Sequence, residues 1–319
     1  MTSAGSAASS GAGVHAAPIG RIAFGDLTPR QFHHAFRQRG VPVVVTGALA
    51  GVVPLELDQL VSHIGEREFP TRCYGTERFT RPKTEWTTYC EMQMRTVASF
   101  VGLLRDGTAR RDHMYLAQVE IGPTPLRQVI GPAVDALSAA TGLRRQPPLD
   151  INLWLGPGGH TEPLHFDSHD GTLIQLRGTK RVSLFPPRVS PDLYPFAVFG
   201  GGLPPWVSRV YIDRPDFVTY PRLAEALRHR HVVDLAEGEI LFIPAGWWHE
   251  VSALGDDYIC SANRFWKVRP LWRFAGAPRA ALLYLTTKLP VPFVLKIHHR
   301  IESMVAAMSG RPRPVSPPA

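Results

Sequence analysis

The chain has 319 residues, 44% hydrophobic and 19% charged, and Lys plus Arg at 35 against Asp plus Glu at 27 gives a net charge of +8. This apolar content supplies a packed core and excludes wholesale disorder, and no apolar run approaches the ~20 residues of a membrane-spanning helix. Cys73, Cys90 and Cys260 lack CxxC spacing, which disfavours a disulfide scaffold or zinc ribbon and suits a reducing, cytoplasmic setting.

Residues 1–18 are Ala, Ser and Gly with almost no large side chains, so a disordered tail is expected there. Thr28-Pro29-Arg30-Gln31 predicts a helix start, with Thr as N-cap, Pro at the first position and Gln three residues after the cap. Gly40 ends that helix, and 41–46 (VPVVVT) predicts a short buried strand. A second helix is expected over 56–64, and a third over 96–105, where Val97, Phe100, Val101 and Leu104 fall at helical spacing. From Asp150 the texture changes to short β-rich runs broken by Gly and Pro (INLWL, GTLIQL, KRVSLFP, GEILFIP, YICSA), the pattern of a β sandwich or barrel. After Trp266 the pattern turns helical, and 310–319 is Pro-rich and expected to be loose. Basic residues are scattered, with small clusters at Arg110-Arg111, Arg144-Arg145 and Arg228-His229-Arg230. They lack the long run of a nucleic-acid arm, and this disfavours nucleic acid as a partner.

Three segments could carry chemistry. In PLHFD, His165 and Asp167 are two residues apart, so on a strand both point to one face. With 13 histidines in the chain, that pair alone equally fits a polar strand end. In GEILFIPAGWWHE a buried strand runs through a Pro-Ala-Gly turn to His249, which alone fits a histidine on a β edge. Two histidines and one carboxylate on a β scaffold make the facial triad that leaves positions open on Fe(II). In RGTKRVSLFPP, Lys180 begins a strand, where a lysine is by default solvated. In the same barrel as the triad, its charge could instead fix the far carboxylate of a dicarboxylate chelator.

DINLWLGPGG, TEPLHFD, RGTKRVSLFPP and GEILFIPAGWWHEV, in that order, resemble the cupin-like branch of JmjC-domain proteins, which includes protein asparaginyl hydroxylases and related Fe(II)/2-oxoglutarate oxygenases. The resemblance runs from about Ile22 to Lys267. It implies a mainly β fold: a double-stranded β-helix (cupin, jelly-roll) with N-terminal helices and a C-terminal helical extension. The expected organisation is a tail over 1–18, the cupin-like JmjC domain over 19–267, the extension over 268–309 and a tail over 310–319. His165, Asp167 and His249 would be the iron ligands. Lys180 and Tyr115 would hold the C5 carboxylate of 2-oxoglutarate, and Asn263 would line the site. Thr161 corresponds less well to a cosubstrate-contacting threonine, because Glu162 occupies the aligned position.

Gly171 is a departure, since several hydroxylases have asparagine there; Thr172, His169 or a water would make up the contact. Glu162 would either anchor a cationic substrate group or be a plain surface carboxylate. The insert between 189 and 233 would fold as a lid over the mouth, with Phe199, Trp206 and Tyr211 as candidate substrate contacts. The C-terminal apolar stretch (Leu282, Leu283, Leu285, Leu289, Phe293, Val294, Leu295, Ile297) would form a homodimer surface, pack on the chain's own core, or lie on a membrane surface with Lys288, Lys296 and Arg300.

The activity implied is hydroxylation of a peptide or protein side chain, with conversion of 2-oxoglutarate to succinate and carbon dioxide. The alternatives are hydroxylation of a small metabolite or tRNA nucleoside, or a metal-binding cupin without oxygenase activity.

Overall fold

In the computed structural model, residues 18–52, 54–76, 80–85, 90–145, 150–197 and 203–286 are described. Within them lie thirteen strands: β1 (Arg21–Ala23), β2 (Val43–Thr46), β3 (Glu68–Cys73), β4 (Glu91–Thr96), β5 (Met114–Glu120), β6 (Ile151–Pro157), β7 (Thr161–Phe166), β8 (Asp170–Arg177), β9 (Lys180–Phe185), β10 (His231–Leu235), β11 (Ile240–Ile243), β12 (Trp248–Ala253) and β13 (Tyr258–Trp266). They form a nine-stranded sheet, ordered β1-β2-β11-β8-β13-β6-β5-β3-β4, and a four-stranded sheet, ordered β10-β9-β12-β7. Only the β1–β2 pair is parallel. The arrangement is the jelly-roll expected from the sequence.

The period of two in each strand decides what lies on either side of the large sheet. On one face, Leu116, Leu153, Leu155, Ile174, Leu176, Phe242, Cys260 and Ala262 join a single buried cluster. The helices Leu57–Ile64, Val97–Arg105 and Leu126–Thr141 cover that face, contributing Leu60, Phe100, Ile130 and Val134 to the cluster. The alternate residues Tyr115, Trp154, Leu173, Ser261 and Asn263 point to the other face, toward the small sheet. Except for Ser261, each of these lines a cavity between the sheets.

Local signals in the sequence explain most helix ends. Thr28 Oγ1 accepts from Gln31 N at 3.2 Å, capping Pro29–Phe32. That helix then continues as a π-helical turn, His33–Arg37, rather than as plain α-helix. Glu56 and Gln59 form a reciprocal capping box on Leu57–Ile64. Thr96 Oγ1 caps Val97–Arg105 by accepting from Ser99 N at 3.1 Å. The longest helix, Leu126–Thr141, was not foreseen, because Gly131 and Pro132 interrupt its periodicity.

The insert differs from the lid expected. Ser208 N donates to Leu164 O at 2.9 Å and Phe166 N donates to Trp206 O at 3.0 Å, so the insert runs along the edge of β7. Its side chains pack among themselves and onto the outer side of the small sheet. Trp206 lies against Phe196, Leu203 and Val207, and Val210, Ile212 and Leu223 join Phe166 and Trp248. No described insert residue lines the cavity, because its backbone is engaged by the strand edge and its apolar side chains by these clusters. Phe199 lies outside the described residues, as do Leu289, Phe293, Val294, Leu295, Ile297, Lys288, Lys296, Arg300, residues 1–17 of the predicted N-terminal tail and the whole of the C-terminal one. Among the described residues no helix is long and apolar enough to cross a membrane.

Candidate metal centre

His165 and His249 are direct cross-strand partners on β7 and β12, with ring centroids 4.2 Å apart. Asp167 follows β7 immediately. Its backbone oxygen accepts from Gly246 N at 2.8 Å, which ties it to the Pro-Ala-Gly turn before His249. The ligand-type atoms of His165, Asp167 and His249 all lie within 4.8 Å of one another.

Tautomer and charge suit the two histidines to a metal. His165 Nδ1 lies 2.7 Å from Pro163 O and His249 Nδ1 lies 3.1 Å from Trp247 O. A carbonyl only accepts, so each Nδ1 carries a proton, and Nε2 is the nitrogen of each ring that is turned toward the cluster as a metal ligand. His249 Nε2 sits 3.6 Å from Asp167 Oδ2. Burial, and then the neighbouring His165, lower the His249 pKa to about 4, which keeps its imidazole neutral. Two imidazoles and a carboxylate converging on one point, beside open space, fit a divalent iron with free coordination positions.

The cavity encloses about 740 Å³, counting its open mouth. Lys180, at the start of β9, is buried within it. Its Nζ donates to Tyr115 Oη at 3.2 Å and to Ser261 Oγ at 2.5 Å. Among the described residues it makes no ion pair, and burial lowers its pKa to about 8. A buried ammonium with two hydroxyls and no carboxylate fits the end group of a dicarboxylate. Tyr115 reaches it because of Gly156: a Cβ there would stand 2.0 Å from the tyrosine ring. Tyr115 also stacks on His160, with centroids 3.9 Å apart and planes at 8°.

The other predicted residues divide. Asn263 lines the cavity, and its Oδ1 accepts from Trp154 Nε1 at 2.9 Å. Thr172 lines it too, accepting from Trp266 Nε1 at 3.1 Å. Gly171 faces open space, since an added Cβ would meet nothing closer than Phe265 at 3.8 Å. Glu162 lines the cavity and is no surface carboxylate, because its side chain is 12% exposed. Arg72 Nη1 donates to it at 3.0 Å and Tyr74 Oη at 3.1 Å, with His160 Nε2 at 3.4 Å. Thr161 is not among the lining residues; its hydroxyl donates to Ser252 at 3.0 Å. Trp206 packs within the insert. Tyr211 donates to Arg81 O at 3.0 Å, and neither residue lines the cavity.

Ser261, Trp154, Gln118 and Arg72 belong to the site and were not foreseen. Ser261 had a usable signal, since it is two residues from Asn263 on one strand and shares its face. Gln118 is set by a break in the β5–β6 register between Leu116 and Val119 and by its own φ of +57°, features no composition pattern marks.

The centre and the pocket together place a His-Asp-His cluster and a buried lysine in one cavity of a jelly-roll, an arrangement that fits a divalent metal beside an organic dicarboxylate. The profile described as "Cupin-like domain" matches residues 29–270, and the chain belongs to that family. It is 26% identical over 201 residues to Lysine-specific demethylase JMJ31 of Arabidopsis thaliana, covering 60% of this chain and 36% of that protein. It is 36% identical over 111 residues to human (Homo sapiens) HSPB1-associated protein 1, covering 33% and 21%. It is 36% identical over 110 residues to JmjC domain-containing protein D of Dictyostelium discoideum, covering 34% and 24%. The chain thus spans roughly a fifth to just over a third of these relatives' lengths. The likeness is consistent with the JmjC group of 2-oxoglutarate oxygenases, whose cofactors are Fe(II) and 2-oxoglutarate.

Proposed function

We propose that the chain is an Fe(II)/2-oxoglutarate-dependent dioxygenase that hydroxylates a peptide or protein side chain. The observation that carries this is the buried Lys180, which makes no ion pair among the described residues and faces the same cavity as the His165–Asp167–His249 cluster. A metal-binding cupin without a cosubstrate has no use for an ammonium buried at such a cost.

His165, Asp167 and His249 hold the metal, with both histidines fixed in the Nδ1–H tautomer by their carbonyl partners. Lys180, Tyr115 and Ser261 hold the distal carboxylate of 2-oxoglutarate. Bound Fe(II) would supply the redox chemistry by which dioxygen, the oxidant, is divided: one oxygen atom enters succinate as 2-oxoglutarate loses carbon dioxide, and the other enters a substrate C–H bond as a hydroxyl. Asn263 and Thr172 are held by Trp154 and Trp266, so they shape the pocket without rearranging. Gln118, Glu162 and Phe265 also line the cavity. The name of the Arabidopsis relative, a lysine-specific demethylase, supports a protein side chain as substrate.

Incubation with a peptide pool, Fe(II) and 2-oxoglutarate, read by mass spectrometry, tests the reading. Gain of one oxygen atom on a peptide, dependent on 2-oxoglutarate, supports it. Loss of a methyl group from a methylated peptide would place the reaction at an N-methyl carbon. Product formed only from metabolites or RNA would contradict the peptide assignment.

Lys180 also predicts a pH dependence. Its empty-pocket pKa is about 8, and a dicarboxylate binds its ammonium form. Below that pH the charge is already present. Above it, a proton must be taken up on binding. The affinity for 2-oxoglutarate is therefore expected to be flat on the acid side and to fall by up to about tenfold per pH unit on the alkaline side. Anaerobic titrations across this range measure it, and an affinity unchanged well above pH 8 would remove the ammonium from the binding step.

A further inference from the structure

The stretch matched by the family ends at residue 270, and three groups beyond it touch the two loops that carry the metal-ligand candidates. Arg273 Nη1 donates to Asp170 Oδ2 at 2.9 Å, with side chains 6% and 0% exposed. Ala277 and Ala280 pack on the Pro-Ala-Gly turn so closely that a Cβ on Gly246 would lie 2.9 and 3.2 Å from their methyls. Tyr284 lies against His169, with ring centroids 5.1 Å apart and planes tilted at 57°. His169 lies in the loop after Asp167, Asp170 begins β8 at the end of that loop, and Gly246 lies in the turn before His249.

Asp170 is the junction. Its Oδ1 accepts from Ala245 N at 3.0 Å, so one carboxylate bridges the loop of Asp167 to the turn of His249. Gly246 N closes the same bridge on Asp167 O at 2.8 Å. Arg37 Nε stands 4.0 Å from Asp170, and its Nη2 and Nη1 donate to Lys267 O at 2.8 Å and Gly142 O at 3.3 Å. A carboxylate buried this completely requires its cations, and the closer one comes from the C-terminal segment.

We propose that the segment Leu271–Thr286 is a positioning element of the metal centre, with Arg273 acting through Asp170 on the relative placement of Asp167 and His249. Arg273 is not among the residues lining the cavity. It neutralises Asp170 and fixes the rotamer in which that carboxylate holds Ala245 N. Ala277 and Ala280 limit how far the turn can move, and Tyr284 does the same for the loop. The metal geometry thereby depends on a segment outside the matched domain, so displacement of that segment would loosen the site. The inference rests on the metal assignment made above.

The test is Co(II) binding to full-length metal-free protein, by calorimetry and by the visible ligand-field spectrum, for the parent, Arg273→Gln, Arg273→Lys, Asp170→Asn and Tyr284→Ala. Loss of a group that orients metal ligands typically weakens binding ~10–100-fold. That loss is expected for Arg273→Gln and Asp170→Asn, together with a changed Co(II) spectrum. Arg273→Lys keeps the charge and one donor, so it should fall between parent and Gln. Tyr284→Ala should weaken binding several-fold. If Arg273→Gln does not fold, Arg273→Lys and Tyr284→Ala decide. Folded variants with parental Co(II) affinity and spectrum, differing only in melting temperature, would overturn the proposal and leave the pair a stabilising contact. A parent that binds no Co(II) would instead defeat the metal assignment itself.

Discussion

His249→Ala is expected to abolish metal binding at the centre and, with it, all 2-oxoglutarate turnover. Removing a group that merely orients a ligand already costs ~10–100-fold in affinity, so deleting one of three donors should exceed that. The remaining pair, His165 and Asp167, lies on and just after one strand and cannot enclose a metal from the opposite strand. The fold should persist, because the cavity is polar on this side and the large core is elsewhere. Calorimetric titration with Mn(II), beside circular dichroism, measures both. Retained metal affinity in a folded variant would show that His249 is not a ligand.

Lys180→Ala should raise the dissociation constant for 2-oxoglutarate while leaving metal affinity intact. Hydrogen bonds to charged groups contribute about 1.5–3 kcal/mol, which corresponds to roughly 10–150-fold in affinity. The effect on stability should have the opposite sign. The ammonium is buried among hydroxyls and forms no ion pair among the described residues, so the folded protein carries a desolvation cost that alanine removes. The cavity left behind is continuous with one already open to solvent. The variant is therefore expected to melt no lower than the parent without cosubstrate, and to gain less on adding it. Thermal melts with and without 2-oxoglutarate, under anaerobic Mn(II), read the sign directly. A large loss of stability without ligand would make Lys180 a structural residue.

The centre was legible because its geometry is local. His165 and Asp167 are two residues apart, and His249 follows a strand–turn signal, so the period of a strand and one cross-strand pairing bring them together. Lys180 was legible only through the family resemblance, since composition alone makes a lysine at a strand start a surface residue. The burial of Lys180 depends on Tyr115, Gly156 and Ser261, which come from three other strands, and no window of sequence reports that convergence. The helix Leu126–Thr141 was hidden by Gly131-Pro132, which packing on the sheet overrides. The insert looked like a lid because its length and aromatics suit one. The free edge of β7 instead engages its backbone, and the clusters around Val207 and Val210 engage its side chains. Glu162 was ambiguous because its partner Arg72 is ninety residues earlier, on β3.

The most direct measurement is the anaerobic visible spectrum of the purified protein with Fe(II), before and after adding 2-oxoglutarate. A new metal-to-ligand charge-transfer band in the parent is expected. It should be absent in His249→Ala, and in Lys180→Ala it should form only at higher 2-oxoglutarate. No band in the parent, with Fe(II) demonstrably bound, would contradict the account: the cosubstrate would not chelate the metal, and the chain would be a metal-binding cupin of another chemistry.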